Sequence, residues 1–272
     1  MARQYGPAEG PRHFIPGTFK AISARLAVGV CIIALWQLAA GRLVAEVFLS
    51  KPTVILARLL KDSYTLIIPG HLMVTLSEIA IGYVIGGILG LFLGYFFGRS
   101  RILSYIFEPY IMAFYSVPKI ALAPLFIIWL GIDIWSKVAM VLLMVFFLVF
   151  FNTFSGIRAV NEELVQLSQI MGASRRDVAR RVILPAAAPF IIVGFKTAVP
   201  YSVIGAIIGE FTASSKGIGY YILYAAGTFD AAGVFAGIAA LVAVVFVINY
   251  FIARIEARLL RWKPEVETQI VV

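Results

Sequence analysis

The sequence predicts an all-α, polytopic membrane protein. It has six transmembrane helices, both termini in the cytoplasm, and a cytoplasmic elbow between spans four and five. Three observations predict this. The 272 residues are 61% hydrophobic and 14% charged, with a mean hydropathy of +0.95, whereas a soluble domain carries about 25% charged residues. The apolar residues gather in runs of about 20 or more, enough to cross a hydrocarbon core about 30 Å thick. Of the 23 Lys and Arg, fifteen fall on the side of the termini and six on the other, while Lys119 and Lys196 fall inside spans. Positive charge gathers on the cytoplasmic side, so this asymmetry orients the chain. It also accounts for most of the net charge of +9 without a nucleic-acid partner.

Residues 1–20 are rich in Gly, Pro and charge and lack an apolar period, which predicts a disordered cytoplasmic tail. They are not a signal peptide, because the first apolar run starts too late and is too long. Residues 21–260 form a single transmembrane domain, followed by a cytoplasmic tail at 261–272. The first span covers about 26–45. Residues 46–70 mix charge with Val54, Ile55, Leu56, Leu59 and Leu60, and Pro52 suits a first helical turn. That pattern predicts an amphipathic helix at the far membrane surface. The second span, about 72–97, carries Gly82, Gly86, Gly90 and Gly94 at four-residue spacing. This small-residue face admits a close helix neighbour, and packing within the subunit is favoured over a dimer seam. The third span, about 102–130, is interrupted by Pro109, Pro118 and Pro124, so it bends or divides. Spans four, five and six cover about 136–154, 187–209 and 232–253, with an outer segment at 210–231.

Residues 161–185 are too polar for a bilayer core yet patterned like helix. Asn161 is an N-cap with Glu162 and Glu163 in the first turn. Gly172 ends that helix in the left-handed conformation. Ser174 followed by Asp177 is a capping box that starts a second helix, and Pro185 stops it. The result is a rigid elbow. On pattern alone it either lies on the membrane, with Arg175, Arg176, Arg180 and Arg181 on anionic lipid headgroups, or docks a cytoplasmic partner.

No enzyme chemistry is visible. There is no phosphate loop of the GxxxxGK[ST] type, no cofactor motif, and no metal set: Cys31 is the single cysteine and the histidines, His13 and His71, lie far apart. The polar residues in or bordering spans are the candidates for a solute pathway. These are Glu78, Lys119, Lys196, Thr197, Tyr201, Ser202 and Glu210. A structural ion pair is an equal reading for Glu78, and snorkelling is one for Lys196.

The elbow resembles the cytoplasmic loop motif of bacterial ABC importer permeases, Glu-Ala-Ala, three residues, Gly, nine residues, Ile, one residue, Leu-Pro. Gly172, Leu184 and Pro185 fall in register, Val182 takes the Ile position, and Gln166, Leu167 and Ser168 stand in place of the triplet. The stretch from Ser116 to Gly131 is similar to the third-span signature of the nitrate/sulfonate/taurine/bicarbonate-type branch. Gly209-Glu210-Phe211 followed by Gly217-Ile218-Gly219-Tyr220 is similar to its outer segment. The resemblance covers about residues 25–260. It implies a type I permease fold whose elbow is a coupling helix that docks into an ATPase groove. The docking residues would be Glu162, Glu163, Gln166, Leu167, Ser168, Gly172, Ala173, Ser174, Val182, Leu184 and Pro185. It implies as partners a cytoplasmic ABC ATPase dimer, a second permease copy, and a periplasmic solute-binding protein that delivers a small anionic solute such as nitrate, a sulfonate, taurine or bicarbonate. The competing expectation is a secondary transporter driven by an ion gradient, with Glu78, Lys196 or Glu210 as couplers. Such transporters commonly carry internal repeats, and none is evident here.

Overall fold

The computed structural model describes residues 18–259. The expected tails fall almost wholly outside the described residues, although helix already begins at Thr18. α1 (Thr18–Ala39) ends short of the expected 45, because Ala40–Val44 forms a tight turn with Gly41 at φ +81. α2 (Pro52–Tyr64) is the amphipathic helix, with Pro52 in its first turn and Ile55 and Asp62 buried. α3 (Ile67–Arg99) starts earlier than the expected 72 and runs 33 residues. The third span divides into α4 (Arg101–Ser116) and α5 (Ala123–Leu130), joined by a 3-10 turn at Lys119–Leu122. The two limbs bend by 83°, as Pro118 removes a backbone donor and disfavours helix at Val117.

α6 (Ile134–Arg158) leads into α7 (Glu162–Ile170) and the short α8 (Arg175–Val178). α8 passes through a π-type turn, Ala179–Ile183, directly into α9 (Leu184–Thr212). The expectation that Pro185 stops the helix is therefore corrected. Pro185 lies in the first turn of α9, where its missing N–H costs little, and the wider winding of the π-turn absorbs the change in bonding register. The outer segment contains a helix that periodicity alone did not locate, α10 (Ile218–Gly227), before α11 (Ala231–Leu259). Among the described residues five helical stretches are long and apolar enough to cross a membrane, or six if the bent α4–α5 pair is one span.

The core is a layer of three helices, α3, α6 and α9, with α6 in the centre. Ile79 of α3, Val141, Val145 and Val149 of α6, and Ala198, Val203 and Ala206 of α9 close together there. The glycines of α3 make the close approach possible. A Cβ at Gly86 would sit 2.6 Å from the Leu142 carbonyl oxygen, one at Gly90 2.7 Å from that of Phe146, and one at Gly94 2.8 Å from that of Phe150. The steps match residue for residue, so α3 and α6 run parallel with their backbones nearly touching. The four-residue glycine spacing is thus used for packing inside one subunit.

α10 and α11 close the end of the bundle opposite the elbow with Ile218, Tyr221, Ile222, Ala236 and Ala240 against Ile68 of α3. α2 is pinned there by a polar cluster. Arg58 Nε donates to Asp62 at 2.7 Å, the Tyr221 hydroxyl donates to the same carboxylate at 2.7 Å, and Arg58 also meets Asp230 at 3.1 Å. α1 stands apart, tied mainly through Gln37 to Thr53 and through Trp36 against Phe235.

Candidate functional site: the elbow and the polar groups of the spans

The elbow forms from local signals. The Asn161 side chain accepts from the Glu163 amide at 2.7 Å and starts α7, a cap typically worth about 1 kcal/mol. α7 ends in paired reverse bonds, from the Ala173 amide to the Ser168 carbonyl and from the Gly172 amide to the Gln169 carbonyl, each 3.0 Å. That geometry needs a left-handed residue at the turn, and Gly172 has φ +86. The Ser174 hydroxyl accepts from the Asp177 amide at 3.2 Å and donates to the Asp177 carboxylate at 2.5 Å. These bonds hold the Asp177 carboxyl below its usual range.

The inner side of the elbow packs on the bundle. Val178 and Ile183 are buried with Ile157 and Ala187, and Val165, Ala173 and Val182 pack against them. The outer side does not: Leu164, Leu167, Ile170 and Met171 are all exposed. Glu162 forms an ion pair with Arg101 at 2.6 Å. Between elbow and helix ends lies a cleft of about 600 Å³ whose lining includes Arg99, Arg101, Arg158, Gln166 and Gln169. Gln166 therefore faces the basic ends of α3 and α6. Ser168 turns its hydroxyl back to the Leu164 carbonyl at 2.7 Å.

The pathway candidates separate into three groups. Glu78, Ser202 and Glu210 are buried inside the single chain. The Glu78 and Glu210 carboxyl groups lie near enough to interact electrostatically, and Glu78 Oε2 is buried without a hydrogen-bond partner among the described residues. Glu210 accepts from the Thr75 hydroxyl at 2.6 Å and from the Gly219 amide, while Thr75 accepts from the Ile218 amide at 2.9 Å. Glu210 thus anchors the start of α10 to α3. Ser202 donates to its own helix, to Val199 at 2.6 Å. Lys196 stands by itself as the second group, paired with Glu256 of α11 at 2.9 Å. Thr197 and Tyr201 lie on the exposed face of α9, and Lys119, half-exposed at the α4–α5 bend, completes the third group.

Sequence reasoning did not single out Lys137, which is 2% exposed near Glu78 and Glu210. Its Nζ donates to the Ile132 and Asp133 carbonyls, and its stem fills the space over Gly209. Its place at the start of an apolar run was the available signal. Among the described residues no group of three His, Cys, Asp or Glu side chains converges on a metal-sized site.

A multi-pass helical bundle with a capped elbow between α6 and α9 is the setting in which the comparisons identify a membrane permease subunit of the import type. The chain belongs to the family of binding-protein-dependent transport system inner membrane components, whose model matches residues 86–261. It is 34% identical to the formylaminopyrimidine transport permease protein ThiX of Halalkalibacterium halodurans, over 86% of this chain and 93% of that one. It is 32% identical to the putative aliphatic sulfonates transport permease protein SsuC of Bacillus subtilis, over 87% and 86%. It is 29% identical to the taurine transport system permease protein TauC of Escherichia coli, over 89% and 91%. These relatives place it with the ABC importer permeases of the sulfonate/taurine branch. In fold it matches a chain of the MetNI methionine ABC transporter in inward facing conformations. The TM-score is 0.64 at 18% identity, covering 73% of this chain and 98% of that one. Permeases of this type work with ATPase subunits and a binding protein.

Proposed function

We propose that this chain pairs with a second copy of itself to form the translocation pathway of an ATP-driven importer. The solute is small and anionic, such as nitrate, a sulfonate or taurine, or bicarbonate, and a periplasmic binding protein delivers it. Six spans put both termini and the elbow in the cytoplasm. The elbow, from Glu162 to Pro185, docks into an ABC ATPase dimer that supplies the hydrolysis.

The observation that carries this reading is the uncovered apolar face of a fixed elbow. Leu164, Leu167, Ile170 and Met171 are 53%, 55%, 83% and 79% exposed, on a segment held by three caps. Exposed apolar patches on a polar element mark interaction surfaces. A segment of fixed shape also transmits a push that a loose loop would absorb, and its root continues without a break into α9. The 272 residues contain no phosphate loop, which agrees with energy arriving through a partner. Family membership favours this reading over an ion-gradient mechanism.

The test is a pull-down of the tagged chain from its native membrane with an ATP-hydrolysis assay. An ATPase should copurify, and Gly172→Asp should release it while the permease stays folded. A Cβ at Gly172 meets open space, so the substitution strains the turn by only about 1–2 kcal/mol. It also puts a charge beside the apolar face. If no ATPase copurifies and transport persists after ATP depletion with the ion gradient held, the proposal is wrong. Full assembly of Gly172→Asp would remove the docking role from the elbow.

A further inference from the structure

We propose that Lys119 is an anion-contacting residue of the translocation pathway. Its ammonium, set on the rings of Tyr115 and Phe147 near the bilayer midplane, meets the oxyanion group of the passing solute. This rests on the permease reading above and names the chemistry of one step in it.

Depth comes first. α6 has 25 residues, about 37 Å of helix, and Phe147 lies close to its middle. Lys119 Nζ is 5.2 Å from the centroid of the Phe147 ring and 4.3 Å from that of Tyr115. Two cation–π contacts therefore fix the ammonium at mid-depth, where the bend at Pro118 delivers it. It does not snorkel to an interface.

Pairing comes next. Among the described residues no carboxylate lies within ion-pair distance of Lys119. Its one hydrogen-bond acceptor among the described residues is the Tyr115 carbonyl at 2.8 Å, near the end of α4. A lysine that only capped this helix end would use one of its three N–H groups and still leave a half-exposed charge on the face of the subunit. A charge at this depth faces water or a partner, not hydrocarbon. The face that carries Lys119 therefore borders an aqueous pathway, and the missing counter-charge comes from the solute. Lys196 provides the contrast: it already has Glu256.

The surroundings suit an anion with an apolar body. Tyr115 lies 4.9 Å from Phe151, and Phe147 and Phe151 stack at 6.3 Å. Together they give a ring-lined surface beside the single cation. Sulfonate, carboxylate and inorganic oxyanions share the negative oxygen that the ammonium recognises.

The experiment needs no knowledge of the native solute. Cys31, a free and exposed thiol, is replaced by serine, and Ser116, exposed beside Lys119, becomes cysteine. The full chain, in its purified transport complex in nanodiscs, is labelled with anionic sulfonatoethyl and cationic trimethylammonioethyl methanethiosulfonates. With Lys119 present the anionic-to-cationic rate ratio should exceed that of Lys119→Gln by about tenfold, the scale of one charge about 6 Å away in a water-filled passage. Lys119→Arg should keep the ratio. Millimolar ethanesulfonate should slow anionic labelling where tetramethylammonium does not, a readout that needs no variant of Lys119. A Ser116→Cys thiol inert to both reagents would show that no water reaches this face. A ratio indifferent to Lys119, or labelling that ethanesulfonate leaves unchanged, would overturn the anion contact. Either failure would leave ATPase copurification intact, so it is separable from failure of the permease reading.

Discussion

Glu210 looks, in the sequence, like a carboxylate at the mouth of a pathway, and in the fold it holds two helices together. It is fully buried and accepts from Thr75 of α3 and from the Gly219 amide at the start of α10. Those bonds answer the two demands of a buried polar group, that every donor and acceptor be met and that the charge have partners. Glu210→Ala strands the Gly219 amide in an apolar setting, leaves the Thr75 hydroxyl only its longer bond to the His71 carbonyl at 3.3 Å, and opens a cavity. The expected cost is about 2–4 kcal/mol, read as a lower unfolding midpoint in detergent and faster proteolysis between Ala213 and Gly217. Unchanged stability with lost transport would instead return Glu210 to the pathway, where its position in the sequence first put it.

At the scale of elements, the α3–α6 seam decides whether the bundle assembles. Lipid gives apolar side chains little reason to leave it, so helices in a membrane associate through close packing. Here the packing is backbone on backbone. Alanine at both Gly86 and Gly90 would place Cβ atoms 2.6 and 2.7 Å from carbonyl oxygens, which forces α3 away from α6. Overpacking of this kind costs about 1–3 kcal/mol per site, so the double variant should lose several degrees of thermal stability. Gly29 is the control. A Cβ there meets nothing within 4 Å, and Gly29→Ala should leave the midpoint unchanged or slightly raised. Equal effects at the two places would mean that the seam is not what holds the bundle.

At the scale of the whole molecule, parallel α3 and α6 with antiparallel α9 commit the elbow and the α9–α10 loop to opposite sides of the membrane. Lys and Arg crowd the elbow side, and on the positive-inside rule the proposed side for it is the cytoplasm. In a Cys31→Ser background, a cysteine at Met171 should react with an impermeant thiol reagent only from the cytoplasmic side. A cysteine at Ser215 should react only from outside. Both positions are exposed. Labelling of the two from one side would break the six-span arrangement.

What the sequence determined by itself is what short-range physics decides. The elbow caps at Asn161, Gly172 and Ser174, the first-turn Pro52, the break at Pro118 and the glycine face of α3 each depend on neighbours within about one helical turn. They could be read before any coordinates. What only the tertiary structure decided depends on distant partners. Pro185 continues a helix because the π-turn before it changes register. α10 exists because Thr75 and Glu210 receive its first amides. Glu210 turns inward because the Thr75 hydroxyl and the Gly219 amide meet it there, whereas Lys119 is left on the face with rings and no carboxylate. A polar residue in an apolar run is equally a ligand or a strut by sequence, since both roles require that it be hidden from lipid. The difference lies in whether the fold itself supplies its partner.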